Sequence, residues 1–486
     1  MIDMINILNT KSPWIIFTLV AVAQFMVVLD YSITNVSLPA ITQSLHFSTN
    51  NLQWVITSYA LMFGGFLLFG GRAADLFGRR KMLLFGMISF TIISLFIGFS
   101  QSALMLIILR ALQGLSAAFM SPAALSIVLK TFKEGRQRNK ALGYWSTVSA
   151  GGAAVGLLLG GVLTQYIGWR WNFFINVPIG LIISYAILKF VPPHESEAKH
   201  ADLDFPGAIL ITSALMIFVF LISQIPLWGI FSLPAIGLFV LVSILILLFL
   251  VNESHSSHPL IPLSIFAIRN VVAGNIMIIP LYASMMGQFF LLSLYIQTIL
   301  HFSPVLTGLS YLPFPIILGF VSSRISGIVS KHGYKRFLIL GPLLVAIGTA
   351  LLSNLPVHGN YFINILPTMV LIPLGLGITF MPILAAATSG VRPDQAGLAS
   401  GLINTSQQMG GALGLSILIG VATSITASSQ QYGAREALVH GYDKAFLVAM
   451  IFNLFVAFVA FTLIKEKKHP KQQKEISSVQ QQVSVE

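Results

Sequence analysis

The sequence predicts an all-α polytopic membrane protein of fourteen transmembrane helices, arranged as two six-helix bundles with two extra central helices between them. Three observations carry that expectation. The 486 residues are 56% hydrophobic and only 9% charged, against about 25% charged in an ordinary soluble chain, which excludes a soluble globular enzyme. The apolar residues fall in runs long enough to cross a bilayer, and fourteen spans of about 20 residues would use about 280 positions, close to the hydrophobic share. An inner-loop sequence beginning at Gly71 returns in degenerate form at Ser326. What is left over is loops and two short tails, too little for an appended soluble domain of about 100 residues.

The first span is expected over 14–36. Asp3 and Lys11 precede an apolar run from Trp14 without a short h-region and a small-residue cleavage site, so it reads as a retained helix. Spans 52–71 and 82–100 flank a basic cluster of Arg72, Arg79, Arg80 and Lys81. Spans 103–128 and 141–163 flank another, of Lys130, Lys133, Arg136, Arg138 and Lys140, and a sixth span, 173–191, completes a first bundle over 14–191. The linker 192–269 holds spans 206–224 and 231–251, separated by a very short loop. A second bundle over 270–464 comprises spans 271–297, 305–329, 336–354, 360–387 (with Pro367, Pro373 and Pro382), 399–424 and 445–464. Residues 1–13 form a short N-terminal segment. The tail 465–486, rich in Gln, Lys, Ser and Val, is expected to be disordered.

Charge sets the orientation. With the N-terminus inside, 23 of the 27 Lys and Arg lie on inner segments, three outside (Arg170, Arg435 and Lys444) and one within a span, Arg110. This asymmetry obeys the positive-inside rule and places both termini in the cytoplasm, with the chain crossing the cytoplasmic membrane. The net charge of +12 is therefore read as topogenic, and no nucleic-acid partner is expected. The absence of cysteine removes disulfides, thiolate nucleophiles and sulfur-ligated metals. All ten histidines fall in loops or tails, so no membrane metal site is expected.

The inner repeat sets Gly71-Arg-Ala-Ala-Asp75-Leu-Phe-Gly78-Arg79-Arg80-Lys81 against Ser326-Gly-Ile-Val-Ser330-Lys-His-Gly333-Tyr334-Lys335-Arg336, an offset of 255. Two six-helix halves with two helices between them generate that spacing, and transporters are commonly built from repeated halves. In the first copy, Gly71 permits close helix approach, Asp75 can cap a neighbouring helix, and Gly78, Arg79 and Arg80 complete a conformational latch; a plain topogenic turn explains the charges but not the spacing. Gly152, Gly156, Gly160 and Gly161 give the fifth span a face for tight packing.

Of the 15 acidic residues, only Asp30 lies well inside a span, where an ionisable side chain costs roughly 2.5–3.5 kcal/mol on insertion scales. Arg110 is the only embedded basic residue. Asp30 stands six residues from the expected outer end of the first span and Arg110 seven from the outer start of the fourth, so each lies about 10 Å deep and the two can pair. A carboxylate beside a cation, in a cavity that alternately hydrates and closes, can load and release a proton. Gln24, Met26, Tyr59, Trp145, Met285, Phe289, Gln297, Asn404 and Gln408 are candidates for lining a mostly apolar substrate pocket. No Walker loop, zinc-protease helix or nucleophile elbow is present, so neither an enzyme nor a cofactor is expected.

Together these residues resemble the major facilitator superfamily, and within it the fourteen-helix drug/proton antiporter branch of multidrug efflux proteins. The resemblance runs from about Trp14 to Ile464. The 71–81 segment is similar to the superfamily's loop between helices 2 and 3. Leu29-Asp30-Tyr-Ser-Ile-Thr-Asn35-Val-Ser-Leu-Pro39 resembles the branch's helix 1 signature, and Leu109-Arg110-Ala-Leu-Gln113-Gly114 its helix 4 signature. Trp169-Arg170-Trp171-Asn-Phe-Phe-Ile-Asn176-Val-Pro178-Ile-Gly180 and Ala396-Gly397-Leu-Ala-Ser-Gly401-Leu-Ile-Asn404-Thr405 are more branch-specific still. The resemblance implies alternating access in a monomer, export of small amphipathic molecules driven by proton entry, coupling by Asp30 and Arg110, and an inner gate steadied by Asp75. Leu157 after Gly156, where the family's helix 5 antiporter signature has proline, is a departure. So is the lack of further acids in the later helices, which points away from dicationic substrates. A proton-independent facilitator or dedicated metabolite exporter is the alternative.

Overall fold

The computed structural model describes residues 12–132, 135–193, 204–256, 259–392 and 395–464. The N-terminal segment 1–11 and the tail from 465 lie outside the described residues. Fourteen helices among those described are long and apolar enough to span a bilayer. They are α1 (Pro13–Leu45), α2 (Trp54–Phe77), α3 (Arg79–Gly98), α4 (Ala103–Thr131), α5 (Arg136–Tyr166), α6 (Trp171–Phe190) and α7 (Phe205–Trp228). There follow α8 (Leu233–His255), α9 (Arg269–Ile299), α10 (Pro304–Ile325), α11 (Lys335–Leu352), α12 (Tyr361–Thr388), α13 (Ala396–Ser428) and α14 (Ala434–Leu463). Each matches an expected span. Since the number of crossings is even, residues 13 and 463 lie on one side, called here the terminal side.

Most ends move outward from the apolar runs, because a helix continues into water wherever its polar residues can sustain it. α14 begins at Ala434 instead of near residue 445, on the charged stretch Ala434-Arg-Glu-Ala-Leu. α1 continues to Leu45 instead of ending near residue 36, passing straight through Pro39. Proline has no N–H, so it releases the carbonyl four residues back. That carbonyl, on Asn35, accepts from Ser293 Oγ of α9 at 3.2 Å, and the next, on Val36, accepts from Gln297 Nε2 at 3.1 Å. The defect in one bundle is thus satisfied by side chains of the other.

Within the first bundle α5 lies on α1 through its glycines. A Cβ at Gly156 would fall 1.9 Å from Ser32 Oγ, and one at Gly160 would fall 2.9 Å from Ile33. Gly161 turns to the other bundle, where a Cβ would sit 2.5 Å from the Pro304 carbonyl of α10. On the side away from the termini the bundles are therefore pressed together, and Val305 N also donates to Gln165 Oε1 there at 3.2 Å. Towards the terminal side α5 stays packed on its own bundle through Ala141 and Trp145 but opens on another face: nothing lies within 4 Å of a Cβ built at Gly143 or Gly151, and Tyr144, Ser146 and Thr147 are exposed. The other seam, α2 against α13, stays packed from Gly64, which meets Gln408, to Leu68, which meets Gly401. α7 covers that seam, its Thr212 against Gly65 and its Pro226 against Gly420, while α8 packs on α7 and leaves most of its own surface bare. The molecule is closed on one side and parted along α5 on the other.

The repeat is visible in the backbone. Gly78 links α2 to α3 with φ +96°, and Gly333 links α10 to α11 with φ +79°. Both occupy the left-handed region that glycine enters without steric cost, at equivalent places in the two bundles.

Candidate functional site

Asp30 and Arg110 meet, and both are fully buried. The depth argument that brought them together needs amending, because α1 runs nine residues past its expected end and Asp30 lies near its middle. Arg110 and Gln113 stand three apart on α4 and so share one face. Arg110 Nη1 donates to Asp30 Oδ2 at 2.5 Å and to Gln113 Oε1 at 2.5 Å, and Nε donates to the Val55 carbonyl of α2 at 3.0 Å. Its guanidinium lies 4.4 Å from the Tyr59 ring centroid, a cation–π contact. Asp30 Oδ1 accepts from Gln113 Nε2 and from Asn176 Nδ2 of α6, each at 2.9 Å. Gln113 Nε2 also donates to Ser94 Oγ of α3 at 2.8 Å. α4 and α6 supply the partners of the α1 carboxylate, and α2 and α3 hold those of α4.

A carboxylate without contact to water costs several kcal/mol unless paired and hydrogen-bonded. Here burial opposes the charge while a guanidinium and two amides favour it, so a change in hydration or in one partner can alter which form is held. Three polar atoms around the pair have no partner: Arg110 Nη2, Tyr59 Oη and Asn176 Oδ1.

The other expected residues divide into separate groups. In the 71–81 segment, Asp75 Oδ1 pairs with Arg79 Nη2 at 2.9 Å, Arg80 Nη2 donates to the Leu188 carbonyl at 2.5 Å, and Arg72 Nη1 donates to the Pro259 carbonyl at 2.7 Å. Asp75 engages the side chain that opens α3 and remains half exposed. The close helix approach expected at Gly71 occurs one residue earlier: a Cβ at Gly70 would lie 2.1 Å from the Ala118 carbonyl, whereas at Gly71 the nearest atom is 3.6 Å away.

Among the pocket candidates, Met285 and Phe289 line one small cavity with Gln288, Tyr311, Phe314 and Met369. Phe289 stacks on Tyr311 with centroids 5.1 Å apart. Gln24 accepts from Ser121 Oγ at 2.8 Å, and Trp145 is half-buried against the core of the first bundle. Met26 is wholly enclosed in that core. Tyr59 belongs to the Arg110 site, Gln297 to the α1–α9 contact, and Gln408 to the α2–α13 seam, where Asn404 is exposed. These nine residues do not form one pocket. Ser94 and the roles of Gln113 and Asn176 are additions from the structure; the spacing of Gln113 from Arg110 signals its role, while nothing in the sequence brings Asn176 to Asp30.

Comparison with known proteins follows the geometry. A family model described as Major Facilitator Superfamily matches residues 20–415. The puromycin resistance protein pur8 of Streptomyces alboniger is 37% identical over 465 residues, covering 93% of this chain and 92% of that protein. The cephamycin export protein CmcT of Amycolatopsis lactamdurans is 36% identical over 463 residues, covering 92% of each. Among solved structures, a bacterial homologue of the human lysosomal transporter Spinster, in an inward-facing and unoccupied conformation, superposes with a TM-score of 0.69 at 13% identity, covering 93% of this chain and 97% of that one. That likeness is one of fold.

Proposed function

The chain belongs to the major facilitator superfamily, and on that footing we propose that it exports small amphipathic molecules across the cytoplasmic membrane in exchange for protons, by alternating access. The observation that carries the reading is the Asp30–Arg110 pair, a fully buried carboxylate and guanidinium at the convergence of five helices of the first bundle. Intramembrane charges of this kind mark ion and proton pathways. Export is supported by the relatives named for puromycin resistance and cephamycin export.

In this reading the terminal side is cytoplasmic, because the basic clusters Arg79 to Lys81, Arg136 to Lys140 and Lys335 to Arg336 all lie there. The gap beside α5 then opens to the cytoplasm and admits substrate, and the contacts of α9 and α10 with α1 and α5 close the outer side. Proton entry from outside supplies the energy, with no bound cofactor, and a single copy suffices. Asp30 holds the proton and Arg110 stands in for it when the carboxylate is charged. The 71–81 segment steadies the cytoplasmic ends of α2 and α3 as the bundles rock.

The test is transport by purified protein in proteoliposomes with an imposed pH gradient and a panel of amphipathic dyes, comparing wild type with Asp30→Asn. Gradient-driven dye movement that disappears in the folded variant supports the reading. Equal movement by both proteins, indifferent to the gradient, favours a facilitator and removes Asp30 from the mechanism.

A further inference from the structure

Asn176 holds a position that the Asp30–Arg110 pair alone does not explain. It lies in the first turns of α6, is fully buried, and reaches α1 with its Nδ2, 2.9 Å from Asp30 Oδ1. The other end of the same carboxamide, Oδ1, is buried with no hydrogen-bond partner. An unmatched buried acceptor costs about 1–3 kcal/mol, and such groups call for a role.

The neighbouring amide makes the contrast. Gln113 also donates to Asp30, but its Oε1 accepts from Arg110 and its Nε2 donates to Ser94 as well as to Asp30. Turning that amide would set its NH2 against a guanidinium, so it stays in one orientation. Asn176 is under no such constraint. An ionised carboxylate only accepts, whereas a protonated one also donates. A carboxamide with one end on the carboxylate and the other end free can serve both forms.

We infer that Asn176 follows the proton on Asp30 by turning its carboxamide, so that the carboxyl group has a partner in the same place whether charged or neutral. The inference rests on Asp30 being the proton carrier. In the charged form Nδ2–H donates to Oδ1 of Asp30, as observed. When a proton arrives from water and bonds to that oxygen, the Nδ2–H hydrogen bond breaks, the carboxamide turns about Cβ–Cγ, and Asn176 Oδ1 accepts the new carboxyl O–H. Release reverses the turn and returns the proton to water. Only the O–H bond is made or broken, and Arg110 keeps Gln113 Oε1 and the Val55 carbonyl throughout. The other titratable or charged groups around Asp30 are Arg110 from α4, Tyr59 from α2 and Tyr31 from α1 itself; α3 presents Ser94, and α5 presents the glycines that meet Leu29 and Ser32. Of the two amides on Asp30 Oδ1, Gln113 cannot exchange a donor for an acceptor without giving up Arg110 and Ser94, whereas Asn176 can. Asn176 is thus a positioning residue for the proton, acting through Asp30.

The experiment compares wild type, Asn176→Leu, Asn176→Ser and Asp30→Asn in proteoliposomes, using one dye that the wild type moves. Leucine fills the same space without polar atoms, whereas a serine hydroxyl both donates and accepts. Asn176→Leu is expected to slow gradient-driven efflux about 10- to 100-fold, the loss of one hydrogen bond to a charged group. Asn176→Ser is expected to retain most of the gradient-driven rate. Infrared difference spectra of wild type across pH should show the Asn176 side-chain amide band, assigned by its loss in Asn176→Ser, moving with the same midpoint as the Asp30 carboxyl band, assigned by its loss in Asp30→Asn. That measurement decides the matter if the leucine variant does not fold. An amide band that stays fixed while the carboxyl titrates overturns the inference, as does a leucine variant with wild-type efflux and pH profile. Efflux unaffected by Asp30→Asn would instead sink the proton-carrier reading itself.

Discussion

Breaking the Asp30–Arg110 pair one side at a time should cost far more than removing it whole. Asp30→Asn strands a guanidinium in a site without water. Losing one partner of a buried ion pair costs about 3–5 kcal/mol. Arg110 would retain Gln113 Oε1 at 2.5 Å, the Val55 carbonyl at 3.0 Å and the Tyr59 face at 4.4 Å, which puts the loss at the lower end, about 3 kcal/mol. Arg110→Met strands the carboxylate, which retains the Gln113 and Asn176 amides and can escape its charge by taking a proton, so about 2–3 kcal/mol is expected. The double variant leaves neither charge exposed to the interior and should be no worse than either single change. The coupling energy in a double-mutant cycle, the sum of the single losses less that of the double variant, is then at least about 3 kcal/mol. Denaturant unfolding of the four proteins in detergent micelles, followed by tryptophan fluorescence, measures it. Effects that add to within about 0.5 kcal/mol would refute the pairing as an energetic unit.

Three other outcomes are expected. Gly156→Val drives a side chain into Ser32 Oγ and the Leu29 carbonyl and should lower stability by about 1–3 kcal/mol or more, whereas Gly143→Ala, with nothing within 4 Å, should raise it by about 0.5–1 kcal/mol; thermal unfolding in detergent ranks them. Replacing Ser293 by Ala together with Gln297 by Leu removes the donors to the Asn35 and Val36 carbonyls. Spin labels on the ends of α1 and α9 away from the terminal side should then report a larger population of long distances, and an unchanged distribution would count against the contact as a closure. Arg79→Gln removes an ion pair whose acid is half exposed and should change stability by less than about 1 kcal/mol; a larger loss would mean that Arg79 has a structural duty beyond Asp75.

The span count, the order of helices and the special status of Asp30 and Arg110 were legible in the sequence, for one reason: in hydrocarbon each is an all-or-nothing matter. A run of about 20 apolar residues either spans or does not, and an embedded charge is too costly to be incidental. Helix ends were less legible because they lie in water, where neither hydropathy nor charge forces a stop. α1 passed its expected end by nine residues across a proline whose released carbonyl is taken up by α9, a compensation made 258 positions away that no local pattern encodes. The pocket was least legible. Gln297 and Met285 are both apolar-span residues of α9, yet one donates to a backbone carbonyl of α1 and the other lines a cavity, and only the rotation of α9 against its neighbours separates the two. Gly70 and Gly71 are likewise indistinguishable in sequence, and the rotation of about 100° between successive helical residues puts only the first against Ala118.

The repeat that relates the two inner loops does not extend to the embedded charges, and this bears on how the proposed exchange would pass from proton to substrate. The offset of 255 that relates Gly78 to Gly333 relates Asp30 to Met285 and Arg110 to Ile365. The first bundle holds the ion pair, and the corresponding places in the second are apolar. The same offset relates Tyr31 to Met286, and these two touch, with Tyr31 Oη 2.8 Å from Met286 Sδ. Symmetry mates meet only where the axis between the bundles passes. Each belongs to the residue beside it: Tyr31 follows Asp30 on α1, and Met286 follows Met285, which lines the cavity with Phe289 and Tyr311. Tyr31 and the Asn35 and Val36 carbonyls lie within two turns of Asp30 on α1, so in the proposed exchange a movement of α1 at Asp30 is one that these groups share. The second bundle receives it through α9 at three points, Met286, Ser293 and Gln297. Asp30, the α1–α9 contact and part of the apolar cavity therefore lie along two facing helices, while Arg110 and Gln113 of α4, Asn176 of α6, Tyr311 of α10 and Met369 of α12 complete the two sites.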